Sequence, residues 1–283
     1  MDKHTNAPLD EEKKRQSYAP QTFFKVLSLL ESFSVEQPEL TLRQISQRMK
    51  ISTSSLYRYL RAMEDDGYIS RDPENGKYSV GLKLVELGGI ALSRMEFRRY
   101  GQIALDKLSA KLQINSNIGI LYEGDLMHIA FAVHEDAGPS HSVIGRRTPV
   151  QCTAMGKVLL AACGREKTHH IFETYGFRSC TSRSIMDFQR LDSELDAVCK
   201  RGYAFEFREA SENSGCIAFP VVARGNVVSA AISVSTTPAR LEHERDYLIS
   251  TLSESAEFLS YNLGFIGCYP YIRPQGYQSA DRW

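Results

Sequence analysis

The sequence predicts an α+β protein, with a small helical N-terminal domain followed by a larger domain built on an antiparallel sheet. Three observations support this prediction. The 283 residues are enough for about two domains. Near the N-terminus, apolar residues recur at helical spacing in three short segments. From about Phe97 onward, strand-like apolar runs alternate with helical segments.

Composition and charge exclude several classes of protein. Hydrophobic residues make up 42% of the chain and charged residues 24%, which excludes a disordered chain, a collagen-like repeat and a disulfide-packed miniprotein. The 34 basic residues balance the 34 acidic residues, so any nucleic-acid-binding surface must be local. We expect a cytoplasmic protein without membrane contact, because no apolar run approaches the ~18–20 residues of a membrane span and no secretory signal is visible. The six cysteines lack metal-ligand spacing, so we expect free thiols, no metal and no cofactor.

The N-terminal elements have the order of a winged helix-turn-helix. After a polar tail at 1–20, Thr22, Thr41 and Ser52 are predicted N-caps of three short helices, and Gly67 ends the third. A loop around Pro38 separates the first two helices, and a turn of three or four residues separates the second from the third. A β-hairpin follows, with strands at 68–71 and 77–81 around the turn sequence DPENG. Three helices and a hairpin in about sixty residues predict a DNA-binding head at 21–81.

The charge pattern of the head favours DNA binding. Residues 41–63 contain five basic residues and no acidic residue, a local charge of +5 inside a neutral chain. The alternative is a solvated basic face on an ordinary three-helix module. The predicted phosphate contacts are Arg43, Lys50, Arg58, Arg71 and Lys77, and the predicted groove contacts are Thr53, Ser54, Ser55, Tyr57 and Arg61.

A linker helix is predicted at 82–96, where Leu82, Val85 and Leu92 are possible contact positions. These apolar residues would otherwise be exposed, so we expect them to pack against a partner subunit.

The second domain is predicted at 97–267, with an irregular tail at 268–283 whose aromatic residues dock on it. Predicted strands occupy 117–122, 126–133, 203–207, 216–223 and 227–235. Ile103, Leu105, Leu108 and Leu112 mark a first helix, and further predicted helices occupy 154–163, 188–201 and 241–263. Turns at Asp125 and at Gly225-Asn226 predict antiparallel hairpins, so the helices should flank an antiparallel sheet.

Two features of this domain suit a small polar ligand. Thr153 stands at the start of a helix, whose free N–H groups form a cradle for an anion. Ser233 and Ser235 alternate with apolar residues on a strand, so both hydroxyl groups point to one face. The alternative is that both serines face solvent and Thr153 only caps a helix.

Catalysis is not expected. The AMGKV segment departs from a phosphate-binding loop, since Gln151 replaces the first glycine and Val158 follows Lys157. Cys152 or Cys216 would need a histidine partner that no motif places. His128 lies in a strand-like run, and we expect a satisfied or half-exposed side chain there and not a ligand.

The order of these elements resembles the IclR family of bacterial transcription regulators. In the head the resemblance rests on ISQRMKISTSSLYRYLRAMEDDGYIS and KYSVGLKLVELG. In the second domain it rests on IGRRTPVQCTAMGKVLLA, RGYAFEF, NSGCIAFPVV and VVSAAISVS. It covers roughly residues 22–267, and three segments look most similar to the ketodeoxygluconate repressor group.

The resemblance implies a regulator that binds operator DNA as a homodimer or homotetramer. We expect repression that the ligand relieves, and the alternative is activation. It implies an effector, a sugar acid or oxo acid, bound by the second domain through Ala154, Met155, Glu206, Cys216, Ser233 and Ser235. The family usually has Asp where Glu206 stands. The extra methylene of Glu206 implies a pocket that is narrower or differently oriented than in those relatives. The alternative is a ligand-binding or catalytic α+β protein whose head recruits a protein; such a head would show no specific, salt-dependent duplex binding.

Overall fold

The computed structural model describes residues 21–95, 97–137, 143–270, 272–274 and 277. They form two compact units, divided between Ser93 and Arg94. The predicted tail at 1–20 and much of the predicted tail at 268–283 lie outside the described residues. No helix among the described residues is long and apolar enough to cross a bilayer.

The first unit contains three short helices and a small sheet. The helices are α1 (Gln21–Leu30), α2 (Leu42–Met49) and α3 (Thr53–Asp65). The strands are β1 (Glu39–Leu40), β2 (Ile69–Arg71) and β3 (Tyr78–Val80), arranged antiparallel in the order β1-β3-β2. The helices enclose one core cluster, which is centred on the fully buried Leu29, Ile45, Leu56 and Leu60. This is a winged helix-turn-helix arrangement.

Local capping explains where the second and third helices begin. Thr41 and Gln44 form a capping box at the start of α2, and Lys50 ends that helix in the left-handed region at φ 53°. Ser52 caps α3, so only Lys50, Ile51 and Ser52 separate the two helices. These caps confirm the predicted helix-turn-helix spacing.

Two predictions for the first unit are wrong. Thr22 does not cap the first helix, because Gln21 already has helical backbone geometry and Thr22 lies inside α1. The segment around Pro38 is more than a loop, because Glu39 and Leu40 pair with Ser79 and Tyr78 as a third strand.

The linker helix, α4 (Leu82–Ser93), buries none of its residues within its unit. Leu82 and Val85 are 83% and 69% exposed, while Leu92 is half-buried. The helix therefore presents an apolar face that the described residues leave uncovered.

The second unit is built on a six-stranded antiparallel sheet in the order β6-β5-β4-β9-β8-β7. The strands are β4 (Asn115–Tyr122), β5 (Asp125–Ala132), β6 (Arg147–Pro149), β7 (Ala204–Phe207), β8 (Gly215–Ala223) and β9 (Val227–Thr236). The helices are α5 (Phe97–Leu112), α6 (Ala154–Cys163), α7 (Arg165–Tyr175), α8 (Phe188–Arg201), α9 (Pro238–His243) and α10 (Arg245–Asn262). One-turn 3₁₀ segments lie at Glu135–Ala137 and Val150–Cys152. Together these elements confirm the predicted α+β class.

The helices cover the two faces of the sheet differently. Helices α5 and α10 pack against each other and the sheet, and α6 packs against the sheet with α8 beside it. The Ser116 hydroxyl donates to the Leu105 carbonyl of α5 at 3.0 Å, so Ser116 faces α5. Because strand side chains alternate, Asn115 and Asn117 face the opposite side, toward α6.

Several predicted elements of this unit need correction. The helix predicted at 241–263 is two helices, α9 and α10, separated by Glu244 at φ −104° and ψ 18°. Strand β6 and helix α7 were not predicted. Asp125 begins β5 instead of forming a turn, which Glu123 and Gly124 make at positive φ.

The described part of the C-terminal segment docks through its aromatic residues, as predicted. The Tyr269 hydroxyl donates to the Pro220 carbonyl at 2.6 Å. The Tyr277 hydroxyl donates to the Leu121 carbonyl at 3.1 Å and accepts from the Leu121 N–H at 3.2 Å.

Candidate functional site

The N-terminus of α3 presents a cluster of exposed hydroxyl groups. The Ser52 hydroxyl accepts from the Ser55 N–H at 3.4 Å and lies 3.2 Å from the Ser54 hydroxyl. Thr53, Ser54 and Ser55 are all exposed, and Tyr57 is exposed one turn further on. Small hydroxyl residues at a helix N-terminus suit contacts with phosphates or base edges.

Three of the predicted phosphate-binding side chains carry an uncompensated charge. Within the described part of the chain, the exposed side chains of Arg43, Lys50 and Arg58 have no ion-pair partner. These three charges are thus free to pair with phosphate.

Four other basic side chains of the head, those of Arg48, Arg61, Arg71 and Lys77, already have partners. Arg61 lies 3.7 Å from Glu64 and 3.5 Å from Asp65. Lys77 lies 3.5 Å from Glu39, and the Arg71 guanidinium lies 5.5 Å from the centre of the Tyr78 ring. Arg48, which contributes to the local charge, donates to the Ser32 carbonyl at 2.5 Å. Charge counting from the sequence therefore overstates the free positive charge of this face.

A cavity of about 480 Å³ lies between the sheet and the N-terminus of α6. All six residues predicted for the effector site line it, namely Ala154, Met155, Glu206, Cys216, Ser233 and Ser235. Its volume is within the ~300–1,000 Å³ usual for small-molecule sites.

The strand register explains why these residues meet. Glu206 pairs with Cys216, Cys216 with Ser235, and Ser235 with Asn115, which forms one row across β7, β8, β9 and β4. Ser233 belongs to the same face and is only 2% exposed. The solvent-facing alternative for Ser233 is thereby excluded.

The N-terminus of α6 forms the wall opposite the sheet. Thr153 caps the helix by accepting the Gly156 N–H at 2.9 Å. A Cβ at Gly156 would lie 1.9 Å from the Val150 carbonyl, so only glycine fits there. The N–H groups of Ala154 and Met155 stand in the first turn, where a helix has no internal acceptor for them. An anionic group in the cavity can use these donors and the helix dipole.

Glu206 is fully buried and uses its carboxylate to shape the neighbouring loop. Its Oε1 accepts the backbone N–H groups of Glu209 at 2.5 Å and Ala210 at 3.2 Å. Burial raises the pKa of Glu206, and these two hydrogen bonds partly oppose that shift. The extra methylene relative to Asp lets the carboxylate fold back on its own loop.

Cys216 is a poor nucleophile in this setting. Its sulfur lies 3.2 Å from the Ser235 hydroxyl. Burial raises the pKa of the Cys216 thiol well above its ordinary value, so the thiol is protonated at neutral pH.

Further cavity residues were not predicted. They include amides and basic groups: Asn115, Asn117, His128, Arg146 and Arg240. Arg146 lies within the IGRRTPVQCTAMGKVLLA motif but was not singled out, and Arg240 lies on α9. For the three strand residues, the available signal was a polar side chain inside an otherwise apolar run. The interpretation of His128 is correct in that the side chain is half-buried, but its Nδ1 is not satisfied within the described residues.

A buried ion pair lies next to the cavity residue Glu206. The Lys157 ammonium of α6 donates to Glu209 Oε1 at 2.5 Å and to the Phe205 carbonyl at 3.0 Å. Burial raises the pKa of Glu209, and the ammonium of Lys157 opposes that shift. Because Glu209 also donates its N–H to Glu206, the ion pair and the cavity wall share one short segment.

Comparison with known proteins identifies both units. The family model described as "IclR helix-turn-helix domain" matches residues 24–73, and "Bacterial transcriptional regulator IclR C-terminal" matches residues 89–261. The HTH-type transcriptional regulator KdgR of Escherichia coli is 33% identical over 267 residues, which cover 94% of this chain and 99% of that protein.

Solved structures show the same fold. The IclR protein of Thermotoga maritima superposes with a TM-score of 0.70 at 23% identity, covering 86% of this chain and 99% of that one. An IclR homologue from Microbacterium hydrocarbonoxydans, complexed with 4-hydroxybenzoate, gives a TM-score of 0.74 at 22% identity, covering 85% and 98%. On the family matches and the similarity to KdgR, the chain belongs to the IclR family of bacterial transcriptional regulators, in its KdgR-like subgroup.

Proposed function

We propose that the protein is a cytoplasmic transcription regulator whose affinity for operator DNA changes when a small organic acid binds the second unit. The observation that carries this proposal is the convergence of all six predicted effector residues on one cavity beside the N-terminus of α6, where the N–H groups of Ala154 and Met155 have no acceptor within the helix. The 4-hydroxybenzoate complex of the Microbacterium homologue supports an acid as the ligand class. Repression relieved by the acid is the form we expect.

The head supplies the DNA contacts. The free charges of Arg43, Lys50 and Arg58 would bind phosphates, together with Arg71 and Lys77. The exposed start of α3 would enter the major groove, where Thr53 and its neighbouring hydroxyl residues reach base edges.

Two heads are needed for a specific site, because a single module has a small footprint. The uncovered apolar face of α4 offers the contact for a second copy of the chain. A homodimer, or a homotetramer of two such dimers, would bind a palindromic operator. A ligand then changes operator affinity only through its different affinities for two arrangements of the heads.

Thermal unfolding of the full chain with a panel of sugar acids, 2-oxo acids and aromatic acids tests the ligand class. An acid at about 100 times its dissociation constant adds about 2.7 kcal/mol of stability, roughly 5–10 °C in Tm. The stabilising acid should also change the affinity for a duplex that the protein selects from a random library. Absence of any shift, or a shift without an effect on DNA binding, would contradict the proposal.

A further inference from the structure

The wall of the cavity that the sheet provides is unusually polar for a buried face. Asn115 and Asn117 on β4 and Ser233 and Ser235 on β9 all face the cavity. A sheet face that only packed against α6 would carry aliphatic residues, because each buried amide or hydroxyl needs a hydrogen-bond partner. The repeated amides and hydroxyls suit a ligand that carries several polar groups along its length.

His128 is a cavity residue whose hydrogen bonding is incomplete within the part of the chain that the structure describes. It stands on β5, two residues from Leu126, and both residues line the cavity. The described residues provide no hydrogen-bond partner for its buried Nδ1. An unsatisfied buried nitrogen is unfavourable by itself, and a ligand in the same cavity can satisfy it.

Burial, together with one neighbouring positive charge, keeps the ring of His128 neutral. Burial and the nearby Arg146 guanidinium lower the pKa of His128 to about 4. The other titratable or charged groups that line the cavity are Glu206 on β7, Cys216 on β8 and Arg240 on α9. Arg240 is paired with Glu244 at 3.0 Å, and Glu206 is held by its own loop.

A neutral imidazole has one donor and one acceptor. An ionised carboxylate only accepts, and it would favour the protonated ring that this environment opposes. A hydroxyl group can both donate and accept, so it matches the neutral ring in either tautomer.

We propose that His128 binds a hydroxyl group of the effector and thereby selects polyhydroxylated acids over acids without hydroxyl groups. The acid group itself would lie at the N-terminus of α6, and the hydroxylated tail would lie along the sheet toward His128. This inference rests on the proposed function, because it assigns a role within the same cavity.

Two ligands of equal chain length test the selectivity. The probes are 2-keto-3-deoxygluconate and 2-oxohexanoate, which share a six-carbon 2-oxo acid backbone and differ in the hydroxyl groups. Calorimetry on the full chain measures both dissociation constants for the wild type, His128→Leu and His128→Gln. The matched control is His170→Leu, since His170 is exposed and does not line the cavity.

We expect the wild type to prefer the hydroxylated acid. His128→Leu should weaken its binding by on the order of 10- to 100-fold and leave the binding of 2-oxohexanoate within about threefold. His128→Gln keeps a donor and an acceptor and should recover part of the affinity, and the His170 variant should behave as wild type. Binding measured in two buffers of different ionisation enthalpy should show no proton uptake between pH 6 and 8.

Three results would overturn the inference. These are equal wild-type affinity for the two acids, an equal loss for both acids in His128→Leu, and uptake of about one proton per site, which would place an anion at the ring. In each case an acid still binds, so the proposed function stands. Binding of neither acid would also overturn the inference, and the wider acid panel would then decide the proposed function separately.

Discussion

Arg58→Ala is expected to weaken operator binding mainly through the loss of one phosphate contact per head. Arg58 is exposed on α3 and has no ion-pair partner among the described residues. Alanine is the best helix former, so the substitution should leave α3 and the head folded.

The magnitude follows from counterion release. Each neutralised phosphate contributes about 0.9 to the slope of log K against log salt, so two heads lose a slope of about 1.8. When the salt concentration rises from about 50 to about 200 mM, the ratio of wild-type to variant operator affinity should therefore fall by about tenfold. A missing phosphate contact has this signature, whereas a misfolded head would lose binding at every salt concentration.

Fluorescence anisotropy of a labelled, protein-selected duplex measures both slopes. Arg61→Ala is the matched control on the same helix, because Arg61 is already paired with Glu64 and Asp65 and is predicted to contact the groove. It should lower affinity for the selected sequence with little change in slope. A variant at Arg58 with the wild-type slope would refute the assignment of this residue to phosphate.

Four further outcomes are expected. Ser235→Ala should weaken effector binding about tenfold in calorimetry and leave operator affinity unchanged in the absence of effector; an unaltered effector response would remove this hydroxyl from the site. Val85→Asp should break the subunit contact that we propose for α4 and lower the mass measured by light scattering; an unchanged mass would place the contact elsewhere. Lys157→Met should lower the free energy of unfolding by about 3–5 kcal/mol in denaturant titrations, because it leaves the Glu209 carboxylate buried and unpaired. Adding Glu209→Gln should restore most of that free energy. A Lys157→Met variant as stable as wild type would contradict the reasoning. Because the folded-state pKa of Glu206 is raised, its contribution to stability is present below the unfolded pKa and is lost as pH rises through the folded pKa. Wild-type stability should therefore fall more than that of Glu206→Gln as pH rises above the unfolded pKa; parallel curves would argue against a raised pKa.

Elements with local signals were predictable from the sequence. The start of α6 is fixed by Thr153, whose hydroxyl accepts the Gly156 N–H. The bounds of α8 follow from Asp187, which caps its start, and from Gly202, which ends it at φ 84°. Residues close in sequence make these capping interactions, so the local sequence pattern predicts them.

Elements that depend on distant partners were not predictable. The two-residue strand β1 exists only because Glu39 and Leu40 meet Ser79 and Tyr78. Strand β6 likewise depends on its register with β5. Runs this short carry no periodicity, so only the folded chain defines them.

The six predicted effector residues lie in family motifs and could be predicted from the sequence. Several other residues that line the cavity lie outside those motifs and were not predicted. The alternation of Ser233 and Ser235 indicated a shared face, and the register of β9 with β4 agrees. The same register brings Asn117 into that face, and the pairing of β5 with β4 adds His128 opposite Gly119. Pairing between strands that are far apart in the chain decides which residues share the cavity face. The sequence alone therefore did not reveal that Asn117 and His128 belong to it.

The interior cavity of the second unit would link the abundance of this regulator to the proposed effector. A space of about 480 Å³ between α6 and the sheet lacks the side-chain packing that would otherwise stabilise the unit. An acid that fills it at about 100 times its dissociation constant lowers the unfolded population by about 100-fold. Proteases degrade unfolded chains, so the acid would also lengthen the lifetime of the regulator in the cell. The same binding event would then set both the affinity of each molecule for DNA and the number of molecules present.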